Sequence, residues 1–564
     1  MNSEPPCGDD PYPCKQRFNV AVLLDTAIQP SWISDAIEQV QTSSFAQVTH
    51  VLYSTHALNG HRGAPAVRSL ALRGLLHADR WMFRRSPDPL IKTSILPLMS
   101  DATRVSLSTD ERLLQATLTS LREADLDVIL CLGAINTGNV LADVARHGVW
   151  YFPEWEERVR RGVPIGFAET ASGRPVVETS LNRVSSDGYS SNVLCRSVSA
   201  ANAYSPHYTE RRILWSMANF PARALKNLAT AGLQDDMKTE DGQLRSVINP
   251  RPPALPDNLA TMGIATRLAT RLLSYAGRAA FSRTEWSLAV GRDASIGLDV
   301  VERGIPEGAF VPVKNPPDRF WADPFPVTDG TRQWLFVEEF PHSASRAHLA
   351  VMAIDSDGRL GPSVPILYCP YHLSYPFVFQ WNGDWYLIPE SGENLSVDLY
   401  RSVRFPYEWV HERRLVVGVR AVDTTLAEID GRWWMFTTIA PRGGSENDEL
   451  HIFHAASPLG PWTPLPANPQ ISDVRRARSA GRVFQYDGSW FRPAQDCSRR
   501  YGYAMNINRI TELSANTYAE EPIARIDPTW AKGLLGTHTF NHDGGPAVID
   551  GERRRWTLPL GARH

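Results

Sequence analysis

The chain has 564 residues, of which 43% are hydrophobic, six cysteines, and a formal net charge of -3. That length exceeds one hydrophobic core and implies two or three domains. The near-neutral charge supplies no basic field for nucleic acid, and the cysteines show neither C-x-x-C pairing nor metal-ligand spacing.

Residues 1–16 are polar and proline-rich, lacking the apolar segment of a signal peptide, and read as a disordered leader. No run of 18 or more apolar residues occurs, so no transmembrane segment is expected, and reduced thiols point to a cytoplasmic protein. Arg17 to Asp25 (RFNVAVLLD) is a short apolar run of the kind that forms a buried parallel strand. A helical segment, Pro30 to Ser44, and a second strand, Val48 to Tyr53, follow. Further along, Leu113 to Glu123 has helical period, Asp127 to Gly133 is strand-like, Val140 to Arg146 is helical and Gly148 to Phe152 is strand-like. This alternation predicts a doubly wound α/β domain over residues 17–232, with its crevice at the carboxyl ends of the strands. Arg62, Arg68, Arg73, Arg80, Arg84 and Arg85 read as a solvated helix face, contact with phosphate or a nucleotide sugar being the alternative. Neither G-x-G-x-x-G nor G-x-x-x-x-G-K-[ST] occurs in this half.

The order DVILCLG, HGVWYFPEWEERVRRGVPIGFAE and RPVVETSLNRVSSDGYSSNVL resembles the N-terminal fold of methionyl-tRNA, glycinamide-ribonucleotide and amino-sugar formyltransferases. The resemblance implies formyl-tetrahydrofolate as cofactor and an Asn, His and Asp that polarise the formyl group and move the proton. Those positions fall here on Tyr151, Pro153 and near Ser190, none of which matches, so the cofactor stays unknown. Glu154, Glu156, Glu157 and Arg158 stand where the motif would be and read as a charged loop, a replacement site being the alternative.

Ala201 to Ala229 is helical, with Ile213, Leu214, Met217 and Leu225 as core candidates and Tyr204 and Trp215 nearby. Leu233 to Asp257 is polar and proline-rich, and residues 233–284 are read as a linker and connecting helix. Ile264, Leu268, Leu272 and Tyr275 form one face of that helix, with Arg267, Arg271 and Arg278 beside it. The face is read as docking between domains, with anionic lipid or glycan as the alternative. Trp286 to Val290 is a strand placed to close a ring of sheets at its last member.

From Phe320 to Trp556 the chain says a similar thing five times: an apolar run, a Gly turn, an aromatic-rich run. The turn dipeptides are Asp329-Gly330, Asn382-Gly383, Asp430-Gly431, Asp487-Gly488 and Asp550-Gly551. Each suits a tight hairpin and is followed by Trp334, Trp385, Trp433, Trp490 or Trp556, read as packing between blades. Repeats of this period with β-rich content predict a five-bladed β-propeller over residues 285–564.

Inner strands of a propeller converge on the axis, so Asp323, Tyr375, Asp423, Arg478 and His538, at equivalent places in the repeats, are expected to line one cavity. Glu338, Glu339 and Glu390 add carboxylates from the second strands, and the fourth blade adds Arg492, Gln495 and Asp496. Carboxylates that accept hydroxyl hydrogen bonds, beside aromatic faces, suit a sugar, nucleotide sugar or glycan. The candidate catalytic residues are Asp323, Glu390 and Asp423, two of which would act as acid and base in glycosidic chemistry. Glu339, Tyr375, Arg478, Arg492, Gln495, Asp496 and His538 are the candidate substrate-binding residues. Metal is not expected, since His538 and His542 lack a third ligand at suitable spacing.

The opening WADPF is similar to that of five-bladed arabinanases, xylosidases and invertases, a likeness that makes Asp323 their first-blade base or nucleophile. No Arg-Asp-Pro follows, so Asp423 and Glu390 stand in for their later carboxylates. Together WADPF, HLSYPFVF, YLIPES, FRPAQD, YGYAMNINRI and GTHTFN resemble, over residues 318–552, the N-terminal propeller of plant glucosamine inositolphosphorylceramide transferase and its bacterial relatives. In that family glycosyl transfer resides in a separate C-terminal domain. The leading expectation is a carbohydrate-active protein of glycoconjugate biosynthesis, a transferase of glycosyl or formyl/acyl type. The alternatives are an amino-sugar N-formyl or acyltransferase with a divergent site, and a non-catalytic glycan-binding scaffold.

Overall fold

The computed structural model describes residues 17–54, 69–108, 110–133, 138–184, 191–231, 254–292, 300, 305–355, 358–543 and 545–556. The leader, Arg62, Arg68, Ser190 and most of the linker lie outside the described residues. The chain divides into two compact units: Met1–Ser197 with Ala201–Ala269 and Arg442–Gly444, and Val198–Ala200 with Thr270–Pro441 and Ser445–His564.

The first unit is built on a seven-stranded sheet. Its strands are β1 (Phe18–Leu24), β2 (Ala46–Ser54), β3 (Thr103–Leu107), β4 (Val128–Cys131), β5 (Val149–Tyr151), β6 (Val176–Val184) and β7 (Ser191–Ala200), in the order β3-β2-β1-β4-β5-β6-β7. The pairs from β3 to β5 are parallel, and β5 pairs antiparallel with β6. Alternation along β1 explains why both faces are covered. Val20, Val22 and Leu24 enter one core with Trp32, Ile33 and Ile37 of helix α1 (Ser31–Gln41), while Ala21 and Leu23 enter another. In that second core lie Leu114, Leu118 and Leu121; the other helices used below are α2 (Leu70–Phe83), α3 (Glu111–Glu123), α4 (Pro153–Arg161), α5 (Pro206–Met217), α6 (Phe220–Ala231) and α7 (Asn258–Phe281). The sheet establishes an α/β unit; it does not by itself show a formyltransferase.

Three expectations for this unit are corrected. Glu154 to Arg158 lie on helix α4, not in a loop, because Pro153 starts the helix and Gly162 ends it with φ 71°. Only Gly138–Leu141 is helical within the segment expected to continue to Arg146. On α7, Ile264 and Leu268 are buried but Tyr275 is exposed, and the boundary between the units falls within that helix, after Ala269.

The second unit is a five-bladed propeller. Blade 1 is Arg319–Thr328, Gln333–Pro341, His348–Ile354 and Val364–Leu367; blade 2 is Ser374–Trp381, Asp384–Glu390, Ser396–Arg404 and Glu408–Val417. Blade 3 starts with Arg420–Ile429 and Arg432–Ala440, and blade 4 with Phe484–Tyr486 and Ser489–Asp496. In blade 5, Leu534–Gly536 and Phe540–Asn541 pair with Val548–Trp556, which pairs with Ser282–Gly291 and then Phe310–Pro312. A strand from before blade 1 therefore completes the last blade, in unbroken antiparallel register from Ser282↔Trp556 to Val290↔Val548. The long strand Val548–Trp556 thereby has a neighbour on each side and presents no open edge.

Blades 2, 3 and 4 carry two-residue hairpins with both φ values positive: Asn382 50° and Gly383 85°, Asp430 53° and Gly431 73°, Asp487 43° and Gly488 74°. The fifth dipeptide behaves differently. Asp550-Gly551 lies inside the strand Val548–Trp556, so it is no turn, and the Trp556 that follows is exposed, not packed between blades. Trp334 and Trp433 do pack between blades, against Phe405 and Tyr407 and against Phe379.

Candidate functional site

Each of the first three blades opens with the same irregularity. Register shifts between Ala322 and Phe325, Ser374 and Phe377, and Val422 and Thr425 place two inner-strand residues opposite one on the second strand. Asp323, Tyr375 and Asp423, the first residues of these bulges, have left-handed backbones with φ of 48°, 45° and 49°. A side-chain-bearing residue in that region costs about 1–3 kcal/mol and persists where the surroundings enforce it. The threefold recurrence shows that the strain is part of the fold's plan.

The residue opposite the start of the bulge is Glu338 in blade 1 and Glu390 in blade 2, paired with Ala322 and Ser374. Glu338 is therefore the counterpart of Glu390. The expectation for Glu339 is corrected: alternation turns it to the other face, where it accepts from Trp321 Nε1 (2.8 Å), Ser363 Oγ (2.6 Å) and Arg319 Nη1 (2.9 Å) and meets His348 Nε2 (3.1 Å). Burial pushes its carboxyl up, but these partners outweigh burial and hold it at about 2.

Arg478 is the hub of the cluster. It donates to Asp423 through Nε (2.6 Å) and Nη2 (3.3 Å), to Glu390 through Nη2 (3.0 Å) and to Asn447 through Nη1 (3.1 Å). Gln495 Nε2 adds a hydrogen bond to Asp423 (2.8 Å). Asp323 accepts from Thr539 Oγ1 (2.7 Å) and Tyr375 N (3.1 Å), and its own N–H donates to Asp550 (3.2 Å). His538 lies between two acids, Nδ1 2.7 Å from Asp550 and Nε2 3.4 Å from Asp323. Asp323, Glu390, Asp423, Arg478, Gln495 and His538 thus come together.

Three further expectations are corrected. The Tyr375 hydroxyl is wholly buried, pairs with Thr425 Oγ1 (2.8 Å) and accepts from Gly481 N (2.8 Å), so it ties blades 2, 3 and 4 and has no face for a ligand. Arg492 and Asp496 alternate away from Gln495 on their strand. Arg492 is engaged by Glu520 (2.7 Å) and Asp496 by Arg525 (2.8 Å). Two site residues escaped sequence reasoning altogether. Asp550 was hidden in an apparent turn dipeptide, and Tyr501 in a loop whose only signal was its place in YGYAMNINRI. The Tyr501 ring lies 4.8 Å from the Arg478 guanidinium, and Trp286 stacks on His538 at 3.8 Å. Tyr501 is 42% exposed, so the mouth of the cluster has an aromatic rim.

Burial, and after it the crowding of acids, shifts the titration of this cluster. Burial, with repulsion from Asp423 and Asp550, raises Asp323 to about 6 against the opposing pull of His538. Burial raises Glu390 well above the usual carboxylate range, Arg478 opposing and Asp423 adding to the rise. Glu338 is raised likewise by burial and by Asp323 and Glu390. Burial lowers His538, but Asp550 and Asp323 outweigh it and bring it to about 9. Burial and mutual repulsion thus favour the neutral forms of Glu338 and Glu390, while the carboxylates around His538 favour its cationic form beside the Arg478 guanidinium. Among the described residues, Asp323, His538 and Asp550 also form a group with metal-ligand chemistry, but both imidazole nitrogens already face carboxylates.

Fold and site together define a five-bladed propeller whose axis carries buried, crowded acids around one arginine. Residues 301–533 match the family model described as glucosamine inositolphosphorylceramide transferase 1, N-terminal. Over 251 residues the chain is 36% identical to glucosamine inositolphosphorylceramide transferase 1 of Oryza sativa subsp. japonica, covering 42% of this chain and 34% of that protein. Identity to the Arabidopsis thaliana protein of the same name is 36% over 208 residues, 36% of this chain and 27% of that one. The chain thus spans about a third of the length of these curated relatives or less. Among solved structures, a family 117 glycoside hydrolase from Zobellia galactanivorans is similar at TM-score 0.31 and 12% identity, covering 48% of this chain and 90% of that one. RS223 β-xylosidase is similar at TM-score 0.31 and 10% identity, covering 42% and 92%. No functional residue is carried over from the solved structures.

Proposed function

We propose that the propeller handles a saccharide in glycoconjugate biosynthesis, binding it at the axis and carrying a group-transfer step there. The observation that carries this reading is the convergence of Asp323, Glu338, Glu390 and Asp423 on Arg478 and His538, within the segment similar to the transferase relatives. The name of those relatives suggests a hexosamine or an inositol-type polyol, whose hydroxyls and ammonium suit carboxylate acceptors. In this reading Tyr501 and Trp286 cover the apolar faces of the ring, Glu390, whose burial favours the protonated form, donates to a departing oxygen, and Asp423, fixed by Arg478 and Gln495, accepts a proton from the incoming hydroxyl.

The test is calorimetry with glucosamine and with myo-inositol, together with mass-spectrometric turnover of nucleotide sugars. Asp323→Asn is expected to weaken sugar binding, and Glu390→Gln to lower turnover by roughly 100-fold or more with binding retained. Sugar binding without turnover in the unchanged protein would make the propeller a glycan-binding scaffold, and no sugar binding would end the proposal.

A second reading, acyl or formyl transfer in the α/β unit, is favoured by Glu154. It sits one residue into α4, just past the carboxyl end of β5, and meets Ser180 N and Oγ, both at 3.3 Å. Burial raises its carboxyl to about 7, a value suited to a general base. Binding of a folate by the unchanged protein, lost in Glu154→Gln, would support it.

A further inference from the structure

We propose that the α/β unit docks on an anionic membrane surface through α2 and the first half of α7, a role independent of the propeller's chemistry. The two helices begin side by side: Ser69 Oγ donates to Asn258 Oδ1 (2.7 Å), which also accepts from Ala71 N (3.1 Å). Their inward faces share one core, Leu72 with Ile264 and Leu268. Outward, each shows exposed apolar side chains that the core does not use. On α2 one outward face carries Leu70 and Trp81 at its ends, with Gly74 and His77 between them, at steps of four, three and four residues; on α7 the exposed apolar side chains are Leu259 and Met262. Leu70 is 72%, Trp81 78%, Leu259 78% and Met262 62% exposed. Large apolar side chains clustered on the surface in this way mark a contact with something outside the fold.

Charge selects that partner. Arg73, Arg80 and Arg267 flank these side chains, with Arg84 and Arg85 just beyond α2. The acids of the region are spoken for: Asp79 is buried and accepts from His207 N (2.7 Å), Asp88 is buried near Arg80 and Arg84 (3.8 and 3.7 Å), and Asp257 accepts from Ala260 N (2.8 Å). Exposed Trp and Leu bordered by arginines is the pattern of helices that lie in the headgroup layer of an anionic bilayer. A second observation points to headgroups. Beside these side chains opens a cleft of about 250 Å³ lined by His77, Arg80, Arg158 and His207 together with Leu76, Leu90 and the carboxylate of Glu210. His207 is buried and its Nε2 has no hydrogen-bond partner. Arg158 is fixed there by Glu210 (2.7 Å). A lipid phosphate entering the cleft meets these donors while acyl chains cover Leu70 and Trp81.

The test is co-sedimentation of the full chain with vesicles of phosphatidylcholine, with and without phosphatidylserine, at low and physiological salt. Binding is expected only to the phosphatidylserine vesicles and is expected to weaken with salt. Arg73→Gln with Arg267→Gln should weaken it roughly 30-fold, at about fivefold per arginine near the surface. Trp81→Ser with Met262→Ser should abolish it, with the thermal midpoint unchanged because these side chains are exposed. Failure to sediment with either vesicle, or equal sedimentation of all variants, overturns the proposal. So do stabilisation by inorganic phosphate without vesicle binding, which would indicate a free phosphate ligand, and lipid-independent dimerisation lost in Trp81→Ser, which would indicate a second copy.

Discussion

Glu338 and Glu339 are neighbours with opposite fates, and the difference is one step of strand alternation. Glu339 accepts from the Trp321, Ser363 and Arg319 side chains and meets His348 in a dry setting. Glu339→Ala would orphan those groups, and we expect it to lower unfolding free energy by roughly 3 kcal/mol or more in chemical denaturation. Glu338 instead faces the axial acids, with His372 Nε2 at 3.4 Å, and burial together with Asp323 and Glu390 raises its carboxyl. Both glutamates were visible in the sequence; the choice between them was not, because the bulge at Asp323 and Pro324, directly after Glu338's partner Ala322, decides the pairing.

At the level of elements, the repeated hairpin was legible in blades 2, 3 and 4 because Asn-Gly and Asp-Gly carry their own backbone preference. The same dipeptide misled at Asp550-Gly551. There the glycine is required by packing: a Cβ at Gly551 would lie 2.6 Å from Leu534 Cδ2 and 2.9 Å from Trp530 Cζ2. Gly551→Ala is therefore expected to destabilise by about 1–3 kcal/mol, read as a lower denaturation midpoint, through overpacking of the last blade. Helix α4 teaches the converse: charged residues looked like a loop, yet Pro153 and Gly162 bracket a helix whose Trp155 is buried.

For the whole molecule, the axial acids make stability depend on pH in a stated direction. Asp323 and His538 both have folded pKa values above their ordinary ones, near 6 and near 9. The folded state thus binds more protons than the unfolded one, and stability falls as pH rises. The share from Asp323 is complete below about 4 and is lost as pH rises through about 6; that from His538 is complete below about 6.5 and is lost through about 9. Denaturant midpoints should decline over this window, and Asp323→Asn should remove the lower step. An increase of stability from pH about 6 to about 9 would contradict this account of the cluster.

By itself the sequence determined the repeat, its β content, the hairpins of three blades and the acids of the inner strands, because turn chemistry and side-chain alternation are local properties. Only the tertiary structure decided which acids meet. Asp323, Glu390, Asp423, Arg478 and His538 come from five blades, and their convergence depends on bulge position and on the strand Ser282–Gly291 pairing with Val548–Trp556. Pairings between residues so far apart in the chain are set by ring closure, and no short stretch of sequence encodes them.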